Sequence, residues 1–251
     1  MPMLSTIALL AIFAASPVVF ITLYFFTAPY GRHVRAGWGP SFTSRMGWLV
    51  MESPAVFVLP ILVFGGGRPI SPLVIFFLCL WELHYVYRTF VFPFTLRENG
   101  RGMPVVLAAL AFVFNVLNGL ANGSYLAGSP DIGSIGPLPA ARIGVGVALF
   151  LAGLLTHMYA DRDLRQLRKP GDVGYKVPRG GLFDLVASPN YFGEILEWTG
   201  WALATWSLPG LAFAIFTVAN LVPRAHAHRQ WYRRTFADYP PERKRVIPFV
   251  Y

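Results

Sequence analysis

Charged side chains are scarce in this sequence. Asp, Glu, Lys and Arg together make up only 13% of its 251 residues, whereas hydrophobic residues reach 55%. Ordinary globular chains carry roughly 25% charged residues. A chain so poor in charge and so rich in apolar side chains is typical of a polytopic α-helical membrane protein, and we predict that class here.

Cysteine and a common nucleotide-binding motif are also missing. Cys79 is the only cysteine, so an intrachain disulfide and a metal site built from cysteines are excluded, and we predict no metal. The glycine-rich fingerprint of a Rossmann domain is absent, and the sequence offers no parallel sheet to carry one. Any nicotinamide cofactor must therefore be bound by helices.

Acidic residues are outnumbered by basic ones, which gives a formal net charge of +9. A basic chain can bind nucleic acid. Here the cations lie in loops between apolar runs, which is the pattern of the positive-inside rule, so we expect a lipid bilayer as partner and no nucleic acid.

The apolar runs set the expected architecture. Five of them have about the length that crosses a bilayer core: Leu4–Thr27, Gly47–Phe64, Leu73–Phe94, Pro104–Ala121 and Ile143–Tyr159. A further stretch, Tyr191–Val222, would be about 48 Å long as one helix, too long for a core of ~30 Å. Its Ser-Leu-Pro-Gly segment at 207–210 has turn chemistry, so we predict two helices there.

The distribution of cations predicts the topology. Eighteen of the 21 Lys and Arg residues fall on one side if the chain crosses seven times, and the opposite loops then hold only Arg68 and Arg142. We predict an all-α fold of seven transmembrane helices with the N-terminus outside and the C-terminus cytoplasmic. The whole chain, 1–251, would be one domain in the endoplasmic reticulum or a bacterial inner membrane, depending on its source, and we expect a monomer.

Several polar residues lie inside the predicted spans, where a charge is costly unless it is paired or functional. Glu52 is followed by Pro54, which should loosen the helix and free carbonyl groups. In the third span, Glu82, Tyr85 and Arg88 follow one another at intervals of three residues, so each lies on the same helix face as the next. Two interpretations stay open. Glu52 or Glu82 pairs with Arg88 as a strut, or a protonated carboxyl and a tyrosine together polarise a carbonyl.

Near the cytoplasmic boundary, three helices each carry polar residues on one face. The three sets are His157, Asp161, Arg165 and Arg168; Asn190, Glu194, Glu197 and Trp201; and Arg224, His228 and Tyr232. We predict that these faces converge under the Pro-Arg-Gly-Gly loop at 178–181. Arginine binds phosphate bidentately, so such a pocket suits a dinucleotide, and its arginine excess favours NADP over NAD.

The residues of this region resemble the steroid 5-alpha-reductase family, and the resemblance extends over nearly the whole chain from Trp48 onward. The most specific segments are LRQLRKPG from Leu164, GYKVPRGGLF from Gly174, NYFGEILEW from Asn190, ALATWSLP from Ala202, IPF from Ile247 and HYVYRTFV from His84. Within the family, the match looks closest to the type 2 enzymes. Two positions depart from the family pattern: Met51 replaces a common Gln, and His157 stands in place of Asn.

The resemblance implies NADPH-dependent reduction of the Δ4 double bond of 3-oxo-Δ4 steroids, with hydride transfer to C5. Glu52 and Tyr85 would polarise the 3-carbonyl of the steroid. The residues implied to line the NADPH site are Asp161, Arg165, Arg168, Tyr175, Asn190, Glu194, Arg224, His228 and Tyr232. The substrate cavity would lie mainly within residues 1–126, and the NADPH site mainly within residues 157–232.

Other functions remain open at this point. A membrane isoprenylcysteine-type methyltransferase that uses S-adenosylmethionine shares a Pro-x-Tyr-x-Gly element, here Pro189 to Gly193. Reduction of an enoyl-CoA or a polyprenol is a further enzymatic alternative. A non-catalytic sterol-binding or transport protein would explain the apolar helices but does not require a basic pocket.

Overall fold

The computed structural model describes residues 2–67, 69–96, 102–128, 136–167 and 174–251. The fold is all-helical, with 76% of the residues in helices. The helices are α1 (Pro2–Phe25), α2 (Ser44–Gly65), α3 (Pro72–Val86), α4 (Phe92–Thr95), α5 (Val105–Gly128), α6 (Pro137–Gln166), α7 (Pro189–Thr205) and α8 (Leu208–Thr235). Short 3₁₀ turns lie at Gly31–His33 and Gly181–Asp184, and β1 (Ser41–Phe42) pairs antiparallel with β2 (Met103–Pro104).

Six helical segments within the described residues are long and apolar enough to cross a membrane. They correspond to α1, α2, the continuous segment Pro72–Thr95, α5, α6 and α8. The chain is therefore a multi-pass membrane protein. Helix α7 has 17 residues and is not among the six. The count of seven spans and their orientation stay predictions.

The long apolar stretch after residue 190 is broken into two helices, as its turn residues predicted. Trp206 ends α7 in a left-handed conformation, with φ of 49°. Ser207 then caps α8, because its hydroxyl accepts a hydrogen bond of 3.0 Å from the backbone N–H of Gly210. Pro209 fits the first turn of α8, where a missing N–H costs nothing.

Helices α3 and α4 are joined by a π-helical turn, Tyr87–Val91, that the sequence analysis did not predict. Pro93 follows this turn and cannot donate a backbone hydrogen bond to the preceding turn. Widened turns of this kind often occur at functional sites. This one carries Arg88, which is 8% exposed.

Helices α6 and α7 run antiparallel and touch along a seam of glycines. Gly146 and Gly153 on α6 and Gly193 and Gly200 on α7 have partner backbone where a Cβ would stand. A Cβ on Gly193, for example, would lie 2.5 Å from the backbone nitrogen of His157. Small residues allow this close approach between helices in a membrane. The seam places the polar faces of α6 and α7 side by side.

An aromatic cluster joins α3, α7 and α8. The ring of Trp81 lies 5.6 Å from Trp198, 5.3 Å from Trp201 and 5.8 Å from Phe213, measured between centroids. The indole N–H of Trp81 donates to the carbonyl of Ala55 on α2 at 2.8 Å. Buried indoles with their N–H groups satisfied make a rigid support. This cluster holds α3 in place beneath the polar site.

Candidate active site

Pro54 removes one backbone donor from the turn of α2 around Glu52, while the helix continues from Ser44 to Gly65. Pro54 cannot donate to the carbonyl of Val50, and the hydroxyl of Ser53 takes that role at 3.0 Å. The amide nitrogen of Asn115, from α5, donates to the carbonyl of Met51 at 2.7 Å and to Glu52 Oε2 at 3.1 Å. Asn115 is therefore the hydrogen-bond donor that holds the Glu52 carboxyl.

Tyr85 lies on α3 in an aromatic setting. It is 3% exposed, and its ring centroid lies 4.7 Å from that of Trp81 and 5.6 Å from that of Trp198. These rings fix the plane of the phenol. Tyr85 and Glu52 line the same cavity, so the structure brings together the two residues predicted to act on the substrate.

That large cavity has a volume of about 680 Å³. Residues of α1, α5 and α8 form most of its apolar side. Its polar side is formed by Glu52, His84, Tyr85, Arg88, Asp161, Asn190, Glu194 and Arg224. A mostly apolar cavity with a few convergent polar groups is the usual form of a site for a small organic ligand.

Arg88 is the centre of the charged side of the cavity. Its Nη1 lies 3.2 Å from Asp161 Oδ2, and its Nη2 lies 3.9 Å from Glu194 Oε2. The guanidinium also stacks on the ring of Trp48, 4.2 Å from the centroid. Among the described residues, neither Glu52 nor Glu82 forms an ion pair with Arg88. The strut interpretation named the wrong acids, and Glu52 is left available for a ligand.

Two histidines and a glutamate extend this network behind the cavity. His84 Nδ1 lies 2.8 Å from Glu197 Oε1, and His157 Nε2 lies 3.2 Å from both Arg88 Nη1 and Asp161 Oδ2. The trio His84, His157 and Glu197 has ligand types that bind metals. Because the short contact between His84 and Glu197 is a direct hydrogen bond and a guanidinium adjoins His157, we describe it as a hydrogen-bonded charge network.

Asp161 and Asn190 are tied to each other within this network. The Asn190 amide nitrogen donates to Asp161 Oδ1 at 2.9 Å, while Oδ2 of the same carboxylate faces Arg88. Asp161 thus orients Asn190 and Arg88 at once. The carbonyl oxygen of the Asn190 amide remains as the acceptor that it can offer to a ligand.

A second cavity, of about 240 Å³, adjoins the first. The two share the wall residues Tyr30, Trp48, Phe92, Met103, Tyr191 and Arg224. Arg32, Arg165 and Arg224 bring three positive charges to the small cavity. The Nη1 atoms of Arg32 and Arg165 are buried and make no hydrogen bond within the part of the chain described. Unsatisfied guanidinium donors in a confined space favour an anionic ligand with several acceptor oxygens.

The neutral groups beside these arginines do not change charge near neutral pH. Burial raises the pKa of Tyr30 to about 12. Burial, reinforced by the charge of Arg32, lowers the pKa of His33 to about 4. Tyr30 therefore keeps its proton and His33 remains unprotonated at pH 7. The positive charge of the small cavity thus comes from its arginines.

The residues predicted from the sequence divide as follows. Glu52, Tyr85, Asp161, Asn190, Glu194 and Arg224 line the large cavity, and Arg165, Tyr175, Arg224 and His228 line the small one. Tyr232 lines neither of these cavities but lies behind Arg32, whose guanidinium is 4.6 Å from its ring centroid. Arg168 lies outside the described residues.

The structure adds residues that sequence reasoning missed. Arg32, Trp48, Asn115 and Tyr191 all line one of the cavities or hold a residue that does. Tyr191 accepts hydrogen bonds from Arg224, at 3.3 Å from Nε and 3.2 Å from Nη2. Arg32 is one of the loop cations that predict the topology, and no spacing pattern marks it as a site residue. A polar residue such as Asn115 in a predicted span was a signal that could have been followed.

Comparison with known proteins identifies relatives over almost the whole chain. A profile of the family described as 3-oxo-5-alpha-steroid 4-dehydrogenase matches residues 101–251. The chain is 43% identical over 247 residues to a steroid 5-alpha-reductase DET2 of Gossypium hirsutum, covering 97% of this chain and 96% of the relative. It is 41% identical over 242 residues to 3-oxo-5-alpha-steroid 4-dehydrogenase 1 of Bos taurus, covering 94% and 93%.

The human protein of the same name, 3-oxo-5-alpha-steroid 4-dehydrogenase 1, is 40% identical over 228 residues, with 88% of this chain and 86% of the relative covered. Relatives from plants and mammals thus match at a similar level. The family expected from the sequence motifs is confirmed. The nearer likeness to type 2 enzymes is not tested by these relatives and stays a prediction.

Proposed function

The chain belongs to the steroid 5-alpha-reductase family, and we propose that it reduces the Δ4 double bond of 3-oxo-Δ4 steroids to 5α-dihydrosteroids with NADPH. One observation carries the proposal. A mostly apolar cavity that holds Glu52 and Tyr85 shares a wall with a cavity in which the buried Nη1 donors of Arg32 and Arg165 have no hydrogen-bond partner among the described residues. A lipid-like substrate and a phosphorylated cofactor therefore have adjacent, chemically distinct sites.

The residues around the small cavity fit NADPH. Arg32 and Arg165 have unsatisfied buried donors for phosphate, and Tyr175 and His228 offer ring faces or polar edges in the same space. Glu194 and the carbonyl of Asn190 offer acceptors on the polar side of the large cavity, which suits a carboxamide. When bound, NADPH supplies the hydride that the reduction adds at C5.

Glu52 and Tyr85 act on the steroid 3-carbonyl. A carboxylic acid and a phenol each have one O–H to donate, and negative charge develops on this oxygen during reduction. Donors fixed in a dry site stabilise such charge, typically by ~2.7–4 kcal/mol each. The aromatic packing of Tyr85 and the Asn115 hydrogen bond to Glu52 limit the movement of both donors.

Residues 1–126 would mainly hold the steroid and residues 157–232 mainly the cofactor. The small cavity also receives Arg32 and Trp48 from the N-terminal part, so the two functions share residues at their boundary. We further propose seven crossings, α7 being the seventh, with the N-terminus outside, the C-terminus cytoplasmic, and a monomer as the active unit.

A direct assay tests the proposed function. The protein is purified in detergent, supplied with NADPH and progesterone or testosterone, and followed by NADPH absorbance and mass spectrometry of the steroid. We expect NADPH loss matched by a product two hydrogens heavier, and none with 5α-dihydroprogesterone, which lacks the Δ4 bond. Binding of progesterone with no reduction of any enone would instead support a sterol carrier.

A further inference from the structure

We propose that Asn115 is a positioning residue that determines which oxygen of Glu52 carries the proton donated to the substrate carbonyl. The proposal rests on the proposed function, in which Glu52 acts as a protonated acid. It depends on two hydrogen bonds of the Asn115 side-chain amide. One partner, the backbone carbonyl of Met51, can only accept, whereas the other, the Glu52 carboxyl, can accept or donate.

The orientation of the Asn115 amide is fixed by the backbone. The carbonyl of Met51 can only accept a hydrogen bond, and it lies 2.7 Å from the side chain of Asn115. The atom facing it must therefore be the amide nitrogen rather than the amide oxygen, since two acceptors would repel at this distance. The same nitrogen lies 3.1 Å from Glu52 Oε2.

An amide nitrogen has two N–H groups and no acceptor, and the two contacts account for both. Glu52 Oε2 must then accept from Asn115 and cannot donate to it. In a neutral carboxyl the carbonyl oxygen is the stronger acceptor, so the N–H of Asn115 favours Oε2 as the carbonyl oxygen and Oε1 as the oxygen that carries the proton. Asn115 thereby selects Oε1 as the donor oxygen, without itself touching the carbonyl of the steroid.

The local structure makes this selection stable. Asn115 is 5% exposed and stands on α5, across from the turn of α2 around Glu52. The same turn has a second side-chain bond, from Ser53 to the carbonyl of Val50, that does not involve the Glu52 carboxyl. Ser53 thus provides a matched control, because its removal disturbs the same turn but leaves the acid untouched.

The test measures the affinity of progesterone for the NADP⁺-saturated protein in variants of both residues. Asn115→Leu removes both N–H donors, and we expect progesterone to bind about tenfold more weakly, the equivalent of one lost hydrogen bond, with NADP⁺ affinity unchanged. Asn115→Asp keeps the shape but presents oxygens to two acceptors, and should weaken binding at least as much. Ser53→Ala should stay within about twofold of wild type.

A double-mutant cycle distinguishes positioning from a general structural role. Glu52→Met removes the acid that Asn115 positions, so adding Asn115→Leu to it should weaken progesterone binding no further. A purely structural role would multiply the two effects. Multiplied losses of progesterone affinity in the double variant would overturn the proposal. So would an Asn115→Leu variant that binds progesterone within twofold of wild type, or a Ser53→Ala variant that loses as much affinity as Asn115→Leu.

Failure of the proposed function would give a different result. If Glu52→Met binds and reduces progesterone as the wild type does, Glu52 is not the acid and both proposals fall. If Glu52→Met loses binding and turnover while Asn115→Leu and Asn115→Asp keep them, only the positioning role falls.

Discussion

The Glu52 side and the Arg88 side of the large cavity hold their charged groups in opposite ways. Among the described residues, the Glu52 carboxyl has one side-chain hydrogen bond, from the amide of Asn115, and no ion pair, although Tyr85 and Arg88 line the same cavity. Arg88 has two carboxylates, a histidine and two aromatic rings around its guanidinium. A group left with spare hydrogen-bonding capacity is available to a ligand, whereas a group surrounded by partners maintains the structure of the site.

Substitutions on the two sides of the cavity should therefore affect different properties of the protein, namely its stability and its turnover. On the Arg88 side, replacement removes the guanidinium that lies between the buried carboxylate of Asp161 and the half-buried carboxylate of Glu194, so stability should fall. On the Glu52 side, replacement removes a hydrogen-bond donor that faces the cavity and breaks no ion pair of the described residues, so turnover should fall while the fold survives.

The largest expected effect is on stability, at Arg88. In Arg88→Met, the buried carboxylate of Asp161 and the half-buried carboxylate of Glu194 lose the arginine that lies beside both, and breaking a buried ion pair typically costs about 3–5 kcal/mol. We expect a much lower thermal unfolding temperature in detergent and little NADPH binding. Arg179→Gln is the matched control. It breaks an ion pair with Asp238 whose side chains are 57% and 70% exposed, so it should cost under about 1 kcal/mol. Equal losses in the two variants would contradict the comparison.

The second largest expected effect is a loss of turnover when Glu52 or Tyr85 is replaced. In Glu52→Gln and Tyr85→Phe, a donor to the substrate carbonyl is weakened or lost, so kcat should fall about 10²–10³-fold. NADPH affinity, measured by equilibrium titration, should stay near the wild-type value. Tyr87→Phe, two residues along the same segment and outside both cavity walls, should keep its activity. Near-normal turnover in both site variants would show that the carbonyl is held elsewhere.

Substitutions in the glycine seam between α6 and α7 should have an intermediate effect on stability. A methyl group at Gly153 would meet the backbone of Gly193 and Glu197, so Gly153→Ala should force α6 and α7 apart and cost about 1–3 kcal/mol. Gly144 is on the same helix and has nothing within 4 Å of its missing Cβ. Gly144→Ala should therefore leave the unfolding temperature unchanged or slightly higher. The opposite order would mean that the seam does not set the helix spacing.

The smallest expected effect is on cofactor affinity at the small cavity. Arg165→Gln removes a guanidinium whose Nη1 has no hydrogen-bond partner among the described residues, and we expect the Kd for NADPH to rise about tenfold, near 1.4 kcal/mol, with little change in kcat. Arg162→Gln alters an exposed arginine in the same turn and serves as control. An unchanged Kd in Arg165→Gln would remove this residue from the phosphate site.

The sequence predicted those features that depend on spacing along one helix. Pro54 indicated a free backbone carbonyl close to Glu52, and the polar faces of α6, α7 and α8 followed from intervals of three and four residues. It could not predict partners that come from another helix. The sequence contains several acids that could pair with Arg88. That Asp161 and Glu194 are the partners depends on the distances between the helical segments that carry them. Asn115 and Arg32 were missed for the same reason, since neither belongs to a repeated pattern.

The glycine seam also restricts how the enzyme can move. Gly146 and Gly153 on α6 are seven residues apart, and so are Gly193 and Gly200 on α7. The backbone of each helix packs against the glycines of the other, which fixes the register between them. Sliding one helix by a single residue would drive side chains into backbone. The next equivalent register lies about 10.5 Å away at 1.5 Å per residue. Shear between these helices is therefore blocked, and any opening that exchanges the cofactor must come from the segments around them.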